Sequence, residues 1–256
     1  MKISHEVPSF LLEESFKFND YDYLLPLFWK HPEYQEHFKT AREQGRFIIL
    51  DNGLFEGQAE DMAKLQEIHD IIQPDVIISQ DVWNDSTATW DNWVKWSEIF
   101  NPEKLMVVIQ AECAYKAKNL YYDLVNTGAK YIGFNHSGKF YDECSSHNNF
   151  TLRKTLGRIN FIHNIALYKD VHHHLLGTNL AEEFKYYHDL PQIKSGDTSN
   201  PVMLAFEGNE YDGSITYKPM TKMEDVFDRK LDSWELELVS ARILRNINYF
   251  RKNYIL

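Results

Sequence analysis

Leu105-Met106-Val107-Val108-Ile109-Gln110 and, starting 26 residues later, Tyr131-Ile132-Gly133-Phe134-Asn135-His136 each run apolar and then turn polar. Strands covered on both faces read this way, whereas a half-exposed strand alternates. Ala114 to Asn126, between them, has the length of a helix, so strand, helix and strand make one βα unit. The unit recurs outward. Phe47-Ile48-Ile49-Leu50 and Val76-Ile77-Ile78 come before it, and the four strand starts stand 26 to 29 residues apart. His174-Leu175-Leu176-Gly177, a weaker segment at Ile193 and Val202-Met203-Leu204-Ala205-Phe206 come after, and an eighth candidate lies near Pro8 to Leu12.

The intervals supply helices. Glu60 to Ile72 spaces Met62, Leu65, Ile68 and Ile72 at helical period; Ser86 to Phe100 is similar, and Leu152 to Tyr168 follows Thr151 as a cap. Ser233 to Phe250 is the longest, with Leu236, Val239, Ile243, Leu244 and Ile247 on one face. Eight strands alternating with helices over 256 residues predict an α/β fold: a single (β/α)8 barrel over residues 1–256, with a C-terminal helix at 233–250.

Composition narrows the class. Hydrophobic residues at 43% and charged residues at 25% give a core-forming chain, and no apolar run reaches the length of a membrane span. The start, Met1-Lys2-Ile3-Ser4-His5-Glu6, lacks a signal-peptide pattern, so a cytoplasmic protein is expected. Two cysteines, Cys113 and Cys144, are too few for a disulfide framework or a four-thiolate zinc site. A net charge of -11 argues against broad affinity for phosphate backbones. The tail containing Arg242, Arg245, Arg251 and Lys252 is the one intrinsic candidate for phosphate contact, although a solvated helix face reads the same way.

Barrel chemistry sits at the carboxyl ends of the strands. There the sequence places Asp51-Asn52-Gly53, Ser79-Gln80-Asp81, Gln110, Asn135-His136 and Gly196-Asp197-Thr198. Any one of these reads equally well as turn chemistry. Three acids on one rim do not, because crowded like charges are costly without a ligand or a shifted pKa.

Taken in order, Leu50-Asp51-Asn52-Gly53-Leu54-Phe55-Glu56, Ile78-Ser79-Gln80-Asp81, Val108-Ile109-Gln110, Tyr131-Ile132-Gly133, His174-Leu175-Leu176-Gly177 and Gly196-Asp197-Thr198 resemble active-site motifs of the tRNA-guanine transglycosylase superfamily. The likeness runs from about Phe47 to Pro201. It implies exchange of a guanine in a polynucleotide for a free 7-deazaguanine through a covalent glycosyl-enzyme. Asp197 would be the nucleophile at C1′ and Asp51 the general acid/base. Asp81 would accept from the guanine N1 and amine edge and Gln110 would read the base carbonyl, with Gly133 backbone at the same edge. Asn52 stands where the family has glycine and is counted with the binding residues. Leu176 would stack under the base and Phe55 above it, though either residue taken in isolation reads more readily as core packing. Trp83 could cover a bound purine, and His136 is a further binding candidate.

The departures carry information too. No cysteine follows Cys144, so neither the family's zinc subdomain nor an appended RNA-binding module is expected. Both point to the compact DNA-acting branch known from phages, with DNA rather than tRNA as substrate and no metal or cofactor. Ala111-Glu112 replaces the family's double glycine, which would make the pocket more acidic. A homodimer or partner protein would be a way to supply missing nucleic-acid contacts.

Other readings stay open. His172 and His174 share a strand face that His173 does not, and with rim aspartates they could bind zinc or manganese, but no second HxH or HExxH accompanies them. Trp90, Trp93 and Trp96 at three-residue spacing read as a helix packing face. The same carboxylates would serve a small-molecule nucleoside or glycoside hydrolase, and a noncatalytic nucleobase-binding protein would keep the pocket without turnover.

Overall fold

In the computed structural model, which describes residues 1–54, 62–217 and 219–255, eight parallel strands form a nearly closed barrel with helices between them. The strands are β1 (Lys2–Ser4), β2 (Asp22–Leu24), β3 (Ile48–Leu50), β4 (Val76–Ile78), β5 (Leu105–Val108), β6 (Tyr131–Asn135), β7 (His172–Leu176) and β8 (Ile193–Asp197). The ladder runs from β2 through β3 to β8 in chain order and ends on β1, which pairs Ser4 with Asp197. This is a (β/α)8 TIM-type fold.

The seam between β1 and β2 is closed by side chains. Asp20 Oδ2 accepts from Ile3 N at 2.8 Å while Asp20 N donates to Ile3 O at 3.0 Å. One step along, Asn19 Oδ1 accepts from His5 N at 2.8 Å and its Nδ2 donates to His5 O at 3.0 Å. An aspartate and an asparagine thus imitate the reciprocal pairing of a ladder.

The helices are α1 (Leu12–Ser15), α2 (Pro32–Glu43), α3 (Met62–Ile72), α4 (Ser86–Ser97), α5 (Ala114–Asn126), α6 (Phe150–His163), α7 (Asn200–Phe206), α8 (Met223–Val226) and α9 (Ser233–Phe250). Between β7 and β8 the return is a 3-10 run, Ala181–Tyr187. Asp85 caps α4 by accepting from Ala88 N, and Asn149, not Thr151, caps α6 by accepting from Leu152 N. Trp93 and Trp96 of α4 are buried, and Trp90 packs beside them with its ring 5.5 Å from that of Trp93.

Two expected strands are helical. Pro8 to Leu12 enters a 3-10 turn (Ser9–Leu11) and then α1, and Val202 to Phe206 lies in α7, with Pro201 in its first turn. An unbroken buried apolar run has no period to tell strand from helix. The true first strands are less apolar: Lys2–Ser4 is short, and β2 carries Asp22, whose buried carboxylate takes Arg46 Nε at 2.6 Å and Nη2 at 3.2 Å. α9 spans the expected residues, but its face differs. Ile243, Ile247 and Phe250 are buried, and α9 packs on α7, whereas Leu236 is exposed along with the rest of the first turns, Ser233 to Leu238.

Among the described residues no helix is long and apolar enough to cross a membrane.

Candidate functional site

The carboxyl ends of the strands open into a cavity of about 330 Å³. That volume suits a small organic ligand. Asp51, Asn52, Asp81, Trp83, Gln110, His136, Leu176 and Asp197 all line it. Phe55 lies outside the described residues. Gly133 is brought beneath the cavity rather than onto its wall: a Cβ there would stand 2.5 Å from Leu176 Cδ1. Its lack of a side chain lets Leu176 settle against β5 and β6.

Asp51 follows β3 and is held by two donors. Tyr23 Oη gives its proton to Oδ1 at 2.8 Å, and Gly53 N donates to Oδ2 at 3.1 Å. Burial pushes the Asp51 carboxyl above its ordinary range; the two hydrogen bonds oppose this, and the neighbouring Asp197 charge adds to it. A carboxyl raised in this way can carry a proton and give it up.

Asp197 ends β8. His174 Nε2 lies 2.9 Å from Oδ1, and Gly177 N donates to Oδ2 at 3.2 Å. Gly177 has φ +59 and lies close enough to His136 that a Cβ would stand 2.9 Å from the imidazole Nδ1, so only glycine fits. The His174 ring stacks on Tyr23 at 5.9 Å and 8°. Tyr23, which touches Asp51 and packs on the partner of Asp197, therefore ties the two carboxylates into one unit.

Asp81 is clamped by amides. Asn52 Nδ2 donates to its Oδ1 at 2.7 Å and Gln110 Nε2 to its Oδ2 at 2.6 Å. Burial lifts its carboxyl to about 6 against those bonds. Each oxygen keeps a further lone pair for a ligand's N–H group. Asn52 also donates to Ser79 O at 2.9 Å, so it supports Asp81 from beneath.

Several expectations are corrected. Glu112 does not reach the cavity wall; its carboxylate accepts from Ser86 Oγ at 2.9 Å and pairs with Lys116, which holds it down at about 2. The tail arginines are engaged within the protein. Arg245 forks onto Glu210 at 2.6 and 3.0 Å, and Arg251 meets Asp20 at 2.9 Å. In the His172-His173-His174 run, His172 and His174 do share a direction, but they converge on the Ser195 hydroxyl, while His173 turns outward to Tyr121 Oη at 3.0 Å. Among the described residues the groups placed to share a metal ion are His31, Glu33 and Asp228, away from the cavity.

Some wall residues had not been expected. Tyr23 and Glu6 come from just after or within the two strands absent from the sequence reading, and Pro219 to Glu224 arrive from the segment beyond α7. Tyr21, Tyr23 and Leu25 alternate at period two, which is the signal that marks β2. Among the described lining residues Glu6, Asp51, Asp81, Asp197 and Glu224 are acidic, and Lys222 is the single lysine or arginine.

No family model matches the chain, and no curated protein matches it either. What the fold and the cavity define is a (β/α)8 barrel with three buried carboxylates at the carboxyl-terminal mouth of its strands.

Proposed function

We propose that the protein is a base-exchange transglycosylase that replaces guanine in DNA by a 7-deazaguanine through a covalent Asp197–glycosyl intermediate. The observation that carries this reading is the pair Asp51 and Asp197 on one cavity, each anchored differently and joined by the Tyr23–His174 stack. In the first half-reaction an Asp197 oxygen bonds to C1′ as the N-glycosidic bond breaks. The bond pair leaves with the purine, which takes a proton from Asp51. In the second, the incoming base loses a proton to Asp51 as its nitrogen displaces Asp197 from C1′. This is the two-step logic of retaining glycosyl transfer, and it requires Asp51 to start protonated, as its burial favours. Asp81 and Gln110 would hold the base edge, with Leu176 and Trp83 against its faces.

A substrate base in a duplex must be flipped out to reach this cavity, so single strands or mismatched sites should react faster. The test is incorporation of radiolabelled guanine into DNA and, in parallel, into tRNA, with unlabelled 7-deazaguanines as competitors. Label in DNA supports the reading; label in tRNA alone overturns the choice of polynucleotide, and label in neither overturns base exchange.

Guanine affinity should depend on pH through Asp81. Its ionised form accepts the N1–H and amine protons, so affinity is expected to be greatest above pH 6 and to fall about tenfold per unit below it. Fold stability runs the opposite way. A carboxyl whose folded value exceeds its unfolded value favours the fold at low pH, and that contribution is lost as pH rises through about 6. Fluorescence titration of guanine between pH 5 and 8, with Asp81→Asn as the flat control, checks the first effect.

The acidic cavity wall and the net charge of -11 favour a second reading, a nucleoside hydrolase in which water takes the place of the incoming base. Release of free base from a nucleoside, with no polynucleotide present, distinguishes it.

A further inference from the structure

Branched apolar side chains fill the interior of most barrels of this kind. Here a polar line crosses the interior instead. His172 stands at the opposite mouth beside Lys2 and Lys194, in a separate cavity lined also by Tyr21 and Ser195. Ser195 Oγ lies 2.6 Å from His172 Nε2 and 2.8 Å from His174 Nδ1, and His174 Nε2 reaches Asp197 Oδ1. Ser195 and His174 are buried.

Proton bookkeeping gives this line a direction. An ionised Asp197 can only accept, so His174 carries its proton on Nε2. Burial holds both imidazoles near 3, so each is neutral and has one N–H. Nδ1 of His174 is then an acceptor, and the single Ser195 proton must point to it. The serine oxygen in turn accepts from His172 Nε2–H. Every donor along the line faces Asp197.

We propose that His172 and Ser195 lock the tautomer of His174, making His174 a positioning residue that presents Nε2–H to Asp197 and holds its carboxylate for attack. This rests on the reading of Asp197 as nucleophile. The other tautomer would set an imidazole lone pair against the carboxylate, and a charged imidazole would blunt its nucleophilicity. Ring rotation is blocked as well: Tyr23 stacks on one face of His174, and Tyr21 packs edge-on at 6.2 Å and 77°. Tyr21 Oη is anchored to Gly196 O at 2.6 Å, so the blocking ring is itself fixed.

The test joins a spectroscopic readout to a kinetic one. Long-range proton–nitrogen spectra of histidine-labelled protein report the His174 tautomer, and kcat and KM are measured for guanine exchange. Wild-type protein is expected to show Nε2–H alone. Ser195→Ala should show a mixture with Nδ1–H and a kcat lowered about tenfold, the size usual for a group that orients another, with KM little changed. Ser195→Thr, which keeps the hydroxyl, should restore both. His174→Gln, which keeps an N–H donor, should retain more turnover than His174→Leu. Nδ1–H in wild-type protein, or a pure Nε2–H spectrum with unchanged kcat in Ser195→Ala, would overturn the lock. A locked wild-type spectrum with no exchange on any polynucleotide would uphold the lock and overturn base exchange.

Discussion

Asp197→Ala is expected to abolish base exchange, lowering turnover by about 10⁴-fold or more, because no other group can form the bond to C1′. Asp51 is engaged by Tyr23 Oη and Gly53 N, and in the proposed reaction it carries the proton instead. The alanine also removes the acceptor for His174 Nε2–H and Gly177 N–H, which costs about 1–3 kcal/mol of stability. Asp197→Asn separates the two effects. Its amide oxygen still accepts from His174 Nε2–H and only the Gly177 N–H loses its acceptor, so most of the stability is retained, while the neutral group cannot displace a base. Radiolabelled exchange and thermal unfolding of both variants check this. Turnover at the wild-type rate in either variant would remove Asp197 from the nucleophile role.

Arg158→Met is expected to produce the largest loss of stability, about 3–5 kcal/mol. Arg158 is fully buried in α6 and donates to Glu183 at 2.6 and 2.8 Å. It also donates to Phe134 O, Leu176 O and Gly177 O at 3.1, 3.1 and 2.9 Å. Its loss leaves Glu183 buried with the hydroxyls of Thr178 and Tyr187 as donors and, among the described residues, no cation, an uncompensated charge. It also frees the carbonyls that set the turn after β7, and with them the Gly177 N–H that touches Asp197. Denaturant unfolding measures the first consequence. Adding Glu183→Gln should recover part of the stability, because the buried charge is then gone; no recovery would place the loss in the three carbonyl contacts.

The central strands were legible in the sequence because both their faces are covered. Val76–Ile78 and Leu105–Val108 are apolar at every position, and no exposed face interrupts them. Lys2–Ser4 and Asp22–Leu24 were not, since Arg46 neutralises Asp22 from a distance in sequence that no local pattern reports. Two helical runs, at Pro8 and Val202, stood in for them, so the expected number of strands was right while two of its members were not. The site divides similarly. Asp51, Asp81, Gln110 and Asp197 lie at or within three residues of the carboxyl ends of their strands and could be read from position alone. Tyr23 depended on a strand that had not been recognised. The Ser195 junction depended on register: His174 pairs with Ser195 across β7 and β8 at a register shift between His173 and His174, which sequence spacing does not encode.

The seam has a consequence for synthesis. Lys2–Ser4 is synthesised long before its ladder partner β8, which follows nearly two hundred residues later with Asp197 opposite Ser4. Until that strand emerges, the first one presents unpaired backbone, a hazard for aggregation while the chain is unfinished. The same delay is protective. Asp197 meets Ser4 and its other barrel neighbours only once β8 has emerged, so Asp51 and Asp197 come to share one cavity only at ring closure.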